Sequence, residues 1–204
     1  MRIIDLTQTI THNMQVYPGD KPPSLMQSHN ISTNGYTNHL LTTGMHAGTH
    51  IDGSWHMVDN NKLIADTPLD SLIGKGCIID IRDISIFSDA QLVREKAASC
   101  SIILFYTGYG ELFGTSQYLS GYPLVANNVA EVIADMGIKL LGMDSLSPDI
   151  EPYETHKTIL SKNILIAENL TNLHLLLGEK EFQIIALPLK IAADSAPARI
   201  VAIY

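Results

Sequence analysis

Residues 76–107 begin Gly76-Cys77-Ile78-Ile79-Asp80-Ile81, continue through Ser88-Asp89-Ala90-Gln91 to about Ala98, and end Ser101-Ile102-Ile103-Leu104-Phe105-Tyr106-Thr107. The two apolar runs are strand-sized and read as buried strands. Between them Ser88 and Gln91 make a capping box for a helix through about Ala98. Buried strand, capped helix, buried strand is the repeating unit of an α/β domain. The alternation continues downstream. Asn128 with Glu131 caps a helix that Gly137 ends, 138–143 is a strand, 154–162 a helix, 164–168 a strand and 171–177 a helix. Residues 182–189 and 199–204 read as closing strands. Upstream, residues 2–8 read as a strand, and 24–32 and 36–46 have β-type composition. Thr67-Pro68 opens a short helix that stops near Gly74. The first third shows no crossover helices, so the sheet is expected to be mixed. The whole chain, residues 1–204, reads as a single α/β domain.

Composition narrows the function. A chain of 204 residues buries about 70% of its unfolded surface and folds without staples. Hydrophobic residues make up 46% and charged residues 17%, a globular balance. Thirteen Lys and Arg against 21 Asp and Glu give −8, which argues against nucleic-acid binding. Cys77 and Cys100 are too few for a disulfide scaffold and read as reduced thiols. No signal-peptide core or membrane-length apolar run is present, so a soluble cytoplasmic protein without membrane contact is expected.

Chemistry concentrates in His46-Ala47-Gly48-Thr49-His50-Ile51-Asp52-Gly53-Ser54-Trp55-His56. Imidazole nitrogen and carboxylate oxygen are donors that Zn²⁺ or Mn²⁺ accept. On a helix Asp52 would point away from His50, and Gly48, Thr49 and Ile51 disfavour a helix. On a strand, positions 46, 50, 52 and 56 share one face. A flat strand still separates 46 from 50 by roughly 13 Å. The chain must therefore bend at Ala47-Gly48 before a second extended piece aims His50 and Asp52 at one metal. The competing reading is three solvent-facing histidines on a polar loop.

His-x-Gly-Thr-His-x-Asp, followed four residues later by His, resembles the signature of the metal-dependent cyclase hydrolases, which include bacterial kynurenine formamidases and isatin hydrolases. Other stretches resemble that superfamily in the same order: Val16-Tyr17-Pro18-Gly19-Asp20, then Gly142-Met143-Asp144-Ser145-Leu146-Ser147-Pro148-Asp149. His156 with Glu168-Asn169-Leu170 follows, then Leu187–Lys190 and Asp194–Arg199. The resemblance implies a mixed, partly barrel-like central sheet flanked by helices, of the swivelling β/α/β type. It implies that His46, His50 and Asp52 hold one metal. Asp52 would bridge to a second, held by His156 and Glu168, with two Zn²⁺ per chain and Mn²⁺ as the alternative. His56 would be the acid/base. A homodimer or dimer of dimers is implied as well. Taken singly, His156 also reads as a solvated helix histidine and Glu168 as a helix-start charge.

Several positions depart from the family pattern. Tyr17 stands where kynurenine formamidases have Trp, Gly53-Ser54 where a small apolar residue and Pro are usual, and Met57 where Phe is common. Ala192-Ala193-Asp194-Ser195-Ala196-Pro197 replaces a Gly-x-Asp-Gly-Ser-Pro loop. These changes lie where substrate shape would be read. Tyr17 and Trp55 are candidate substrate contacts, with a core anchor the other reading of Trp55. His12, His29, His39 and His174 lack ligand spacing. Neither cysteine has a base partner, and no Gly-x-Ser-x-Gly elbow is present.

The expected function is hydrolysis of a small-molecule amide, such as an aryl formamide of the N-formylkynurenine type, by metal-activated hydroxide. His56 would protonate the leaving nitrogen. A single-metal, Mn²⁺-type site opening a cyclic amide or lactone is the alternative within hydrolases. A non-catalytic metal or ligand-binding module is the alternative from another class, and His56 counts against it.

Overall fold

The computed structural model describes residues 1–204. Its strands and helices, in chain order, begin with β1 (Ile3–Asp5), β2 (Ser24–His29), α1 (Ile31–Asn34), β3 (Asn38–Thr42) and β4 (His50–Asp52). Next come α2 (Leu69–Leu72), β5 (Ile73–Asp80), β6 (Ile86–Phe87), α3 (Ala90–Ala97), β7 (Ile102–Tyr106), β8 (Leu124–Val125) and α4 (Asn127–Asp135). The chain closes with β9 (Leu140–Met143), α5 (Glu154–Ser161), β10 (Leu165–Glu168), β11 (Phe182–Pro188) and β12 (Ser195–Ile203).

Neighbouring strands run β12-β11-β5-β7-β9-β10-β4, and β4 pairs back onto β12. Seven strands therefore close into a barrel, with β1 added outside β12. β5, β7, β9 and β10 are mutually parallel, and the remaining pairs are antiparallel. The expected mixed, barrel-like sheet is what the chain forms. Closure depends on β12 being long. Residues 195–197 pair with β4, and residues 201–203 pair with β1.

Side-chain alternation explains why the strands read as unbroken apolar runs. Ile102, Leu104 and Tyr106 of β7 point into the barrel with Leu140, Ala167, Ile184 and Ala198. Ile103 and Phe105 point outward with Leu141, Met143 and Ile166, beneath Val93, Val129, Ile133 and Ile159 of α3, α4 and α5. Both faces are buried, so no polar alternation remains. At Gly142 a Cβ would lie 2.7 Å from Leu104 Cδ2 and 3.0 Å from Leu170 Cδ1, so any side chain there would have to displace these leucines.

Local departures from expectation have local causes. Asp89, not Ser88, caps α3, because its carboxylate accepts the Leu92 N–H at 2.9 Å; Gln91 bonds Glu95 instead. Ala126 precedes α4 without a side-chain cap, and Asn128 donates to the Ser88 carbonyl. Residues 173–176 form a 3₁₀ turn rather than a helix. Pro68, expected at the first helical position after a Thr67 cap, is itself the N-cap of α2, which starts one residue later. The segment at 24–46 shortens to β2 and β3, which pair only with each other as a ribbon. Cys77 and Cys100 are free and half-buried. No helix is long and apolar enough to cross a membrane.

Candidate metal centre

β4 lies between β10 and β12, and the register decides what meets. His50 stands opposite Glu168 and Pro197, and Asp52 stands opposite Ser195. Directly opposed residues of antiparallel strands face the same side. Ile51 points into the barrel, so His50, Asp52 and Glu168 point outward, toward α5. His156, on the first turns of α5, comes down onto them. Glu168 lies at the C-terminal end of β10, where α/β sheets place their ligands.

The expected common strand face holds for His50 and Asp52 alone. His46 belongs to the turn before β4. Gly48 makes that turn at φ +63°, and a Cβ there would come 3.0 Å from Met14 Cε. His56 lies on the 3₁₀ turn Ser54–His56 and reaches the site by that route rather than by strand parity.

Three histidines each donate one N–H backward. His50 Nδ1 donates to the Gly48 carbonyl at 2.8 Å, His46 Nε2 to Asp194 Oδ2 at 3.1 Å, and His156 Nδ1 to Asp149. Each donation fixes a tautomer and leaves the other nitrogen's lone pair free to bind. His46 Nδ1 lies 2.9 Å from Asp52 Oδ1, and His50 Nε2 lies 3.5 Å from that oxygen and 3.3 Å from Glu168 Oε2. His156 Nε2 lies 3.3 Å from Glu168 Oε1 and 4.0 Å from Asp52 Oδ2. These approaches are close, yet the atoms are not aligned as hydrogen bonds. His50 Nε2, both Asp52 oxygens and Glu168 Oε1 are buried without a hydrogen-bond partner.

Leaving such atoms unpaired in the interior costs about 1–3 kcal/mol each. A divalent cation removes that cost, and nitrogen with carboxylate oxygen is the donor set for Zn²⁺ or Mn²⁺. The residues present therefore fit a metal. Two donor groups share Asp52: His50, Asp52 and Glu168 form one, and His46, Asp52 and His56 the other.

Electrostatics follow from the packing. Burial opposes charge on every histidine here. For His46, the Asp52 and Asp194 carboxylates outweigh burial and push its pKa up to about 9. Asp149 and Glu168 outweigh burial at His156 and push it up to about 10. His50 also rises, through Asp52 and Glu168, against burial. Asp52 and Glu168 are held ionised below the usual carboxylate range; burial resists, and the facing histidines prevail. His56 goes the other way. Burial and then the neighbouring His46 and His156 lower it, although Asp52 opposes them. It lies with its Nδ1 3.4 Å from Asp194 Oδ2 and its ring 4.2 Å from that of His46.

A cavity of about 230 Å³ opens over the cluster, lined by His46, His50, His56, His156 and Glu168 together with Tyr17, Met57, Leu146 and Tyr153. Tyr17 lines this cavity. Trp55 does not line the cavity, and its side chain is exposed. Asp149, Asn169 and Asp194 fall in stretches that carry the family resemblance, which assigned them no role, and Tyr153 carried no signal. Asn169 donates to the Gly48 carbonyl at 3.1 Å and accepts from Tyr118 at 2.6 Å, which ties the end of β10 to the bend at Gly48.

The model of the Cyclase family matches residues 4–150 of this chain. Over its full length the chain is similar to an uncharacterized protein of Methanocaldococcus jannaschii, 35% identical over 206 aligned residues that cover 100% of both chains. It is 28% identical to a kynurenine formamidase of Bacillus thuringiensis subsp. konkukian, over 97% of this chain and 95% of that one. Isatin hydrolase A from Labrenzia aggregata, solved bound to benzyl benzoate, has the same fold. Its TM-score is 0.86 over 98% of this chain and 93% of that one, at 20% identity.

Proposed function

The chain belongs to the Cyclase family, and from that premise we propose that it is a metal-dependent hydrolase of small-molecule amides, an aryl formamide being the best-supported substrate. The observation that carries this reading is the set of unpaired buried donors on His50, Asp52 and Glu168, opening onto the cavity beside His56. The full-length likeness to a kynurenine formamidase supports the choice of a C–N bond.

His46, His50 and Asp52 would hold one ion, and Asp52, His156 and Glu168 a second. Asp52 supports two ions over one, because His46 and His50 approach its Oδ1 and His156 approaches its Oδ2, and Zn²⁺ over Mn²⁺ rests on the histidine content. When bound, such ions supply Lewis acidity to the carbonyl and lower the pKa of water.

The chain's own residues do the rest. Gly48, Asp149 and Asp194 hold three imidazoles in the tautomer that presents a lone pair. Tyr17, Tyr153, Met57 and Leu146 give the cavity an apolar wall suited to a flat ring. His56, its pKa lowered, is neutral at pH 7 and can accept a proton from the attacking water. It then returns that proton to the leaving nitrogen, which cannot depart as an amide anion. Asp194 lies on its Nδ1 side, so Nε2 is the atom that carries the proton.

His56 is close enough to His46 and Asp52 to be a ligand, and one experiment separates the roles. Zinc-loaded His56→Ala, assayed on formanilide, should keep its metal and lose about 10²–10⁴ in kcat. Loss of the metal would make His56 a ligand. Full turnover would remove it from the chemistry.

We also propose that the protein works as a homodimer built on the β2–β3 ribbon. Every residue of β3 is exposed, Leu40 and Met26 stand 63% and 55% exposed, and no Asp, Glu, Lys or Arg occurs between Lys21 and Asp52. A lone two-stranded ribbon is marginal in water, and interface cores are depleted in charge.

A further inference from the structure

Glu168 ends β10, and the next residue turns the chain. Asn169 takes φ +56°, a left-handed conformation that asparagine adopts more readily than most residues. Its backbone is held on both sides. The N–H donates to the Ser145 carbonyl at 3.0 Å, and the carbonyl accepts the Thr49 hydroxyl at 2.6 Å.

The buried side-chain amide is used at both ends. Nδ2 donates to the Gly48 carbonyl at 3.1 Å, and Oδ1 accepts the Tyr118 hydroxyl at 2.6 Å. The same Gly48 carbonyl accepts the His50 Nδ1–H at 2.8 Å. A carbonyl oxygen has two lone pairs, so it serves both donors. Gly48 sits in a left-handed bend with no side chain of its own to wedge it. Apart from the His50 ring, Asn169 is the one protein group that holds this carbonyl in place. Nδ2 also lies 3.4 Å from His50 Nδ1, too far to compete with the bond to Gly48.

The orientation of the amide matters. Turned over, it would set Oδ1 against the Gly48 oxygen, acceptor against acceptor. Tyr118 opposes that. It comes from the 3₁₀ turn Ser116–Leu119, is fully buried, and bonds nothing but Asn169. Burial pushes its hydroxyl well above the ordinary tyrosine value, so it stays a donor. Facing Nδ2 instead, its proton would be buried without an acceptor, which is costly. A released Gly48 carbonyl would let the His50 proton move to Nε2. The lone pair aimed at Asp52 and Glu168 would then be lost.

We propose that Asn169, oriented by Tyr118, is a positioning residue for His50: it holds the Gly48 carbonyl where that carbonyl keeps the ring proton on Nδ1 and Nε2 free for metal. The proposal rests on the metal-centre reading of the site and adds to it the support that makes His50 a ligand.

Two variants remove the support, and a third is the control. Asn169→Gly suits the left-handed turn and lacks the amide. Tyr118→Phe keeps the ring and loses the donor. Thr49→Val breaks a bond to the Asn169 backbone and leaves the amide alone. Zinc affinity is measured by competition with a chromogenic chelator. The position of the His50 proton is read in metal-free protein from long-range proton–nitrogen NMR correlations, at a pH where the ring is neutral. Wild type should carry the proton on Nδ1. Asn169→Gly should bind zinc about 10–100-fold more weakly, the usual effect of such a partner, and show the proton shared with Nε2. Tyr118→Phe should move both in the same direction and by less, and it decides alone if Asn169→Gly does not fold. Thr49→Val should lower Tm without moving the proton. A wild type protonated on Nε2 overturns the proposal. So does an Asn169→Gly variant with an unmoved proton or unchanged zinc affinity. An equal movement in Thr49→Val overturns it as well, since general loosening would then be the cause. If wild type binds no zinc, the metal-centre reading fails, and the proton positions alone decide on Asn169.

Discussion

The carboxylate of Asp149 accepts two N–H groups from His156, the ring Nδ1–H and the backbone N–H, the latter at 3.2 Å. The two bonds fix the ring's tautomer and its rotation at once. Nε2 is thereby aimed at Glu168 and Asp52, and α5 is locked at the same point. Partners of this kind are worth about 10–100-fold in metal affinity. Asp149→Asn should weaken zinc binding by that factor, measured by competition with a chromogenic chelator. Unchanged affinity would remove His156 from the set of ligands.

His50 and Asp52 are the most tightly confined of the ligand candidates, each with 1% of its surface exposed. His46→Ala or His50→Ala should abolish retention of metal at one site or more, as read by elemental analysis after gel filtration. Full metal content in both variants would contradict the assignment.

Acidity should govern both metal binding and stability. His46 and His156 are pushed up to about 9 and about 10, against an ordinary histidine value near 6.5. In metal-free protein a raised folded-state pKa adds stability that is complete below about pH 6.5. That stability is lost as pH rises through about 9–10. Metal needs the lone pairs and competes with these protons, so affinity rises over the same window. The gap in Tm between zinc-loaded and chelator-treated protein should therefore widen from about pH 6 to about pH 9. A constant or narrowing gap would show that these histidines do not bind metal.

The ribbon formed by β2 and β3 should carry the subunit contact. Light scattering should return a multiple of the 22.4 kDa chain mass. Leu40→Asp should shift that value toward the monomer, since it buries a charge at the interface core. A wild-type monomer at all concentrations would leave the ribbon without a partner.

The parts of this molecule that the sequence discloses are those with a period. β5, β7, β9 and β10 are legible because burial on both faces keeps them apolar, and His50 and Asp52 fall on one face because β4 is a true strand. His46 and His56 reach the site through a left-handed turn at Gly48 and a 3₁₀ turn, which no alternation rule describes. Asp194 meets His46 across 148 residues, a separation at which spacing carries no signal. Barrel closure is equally hidden, because it rests on β12 pairing with β4 along a few residues only. Tyr153 gave no sign at all, since it reaches the cavity wall through a left-handed backbone conformation unusual for tyrosine.

The dependence of turnover on bound metal tests the account most directly. Protein stripped with a chelator and titrated with Zn²⁺ should be inactive on formanilide at first. Hydrolysis should then rise to a plateau near two ions per chain, one on the His46 and His50 side of Asp52 and one on its His156 side. A plateau near one ion would assign His156 and Glu168 to substrate or structure. Full turnover by the stripped protein, with no response to added metal, would contradict the account.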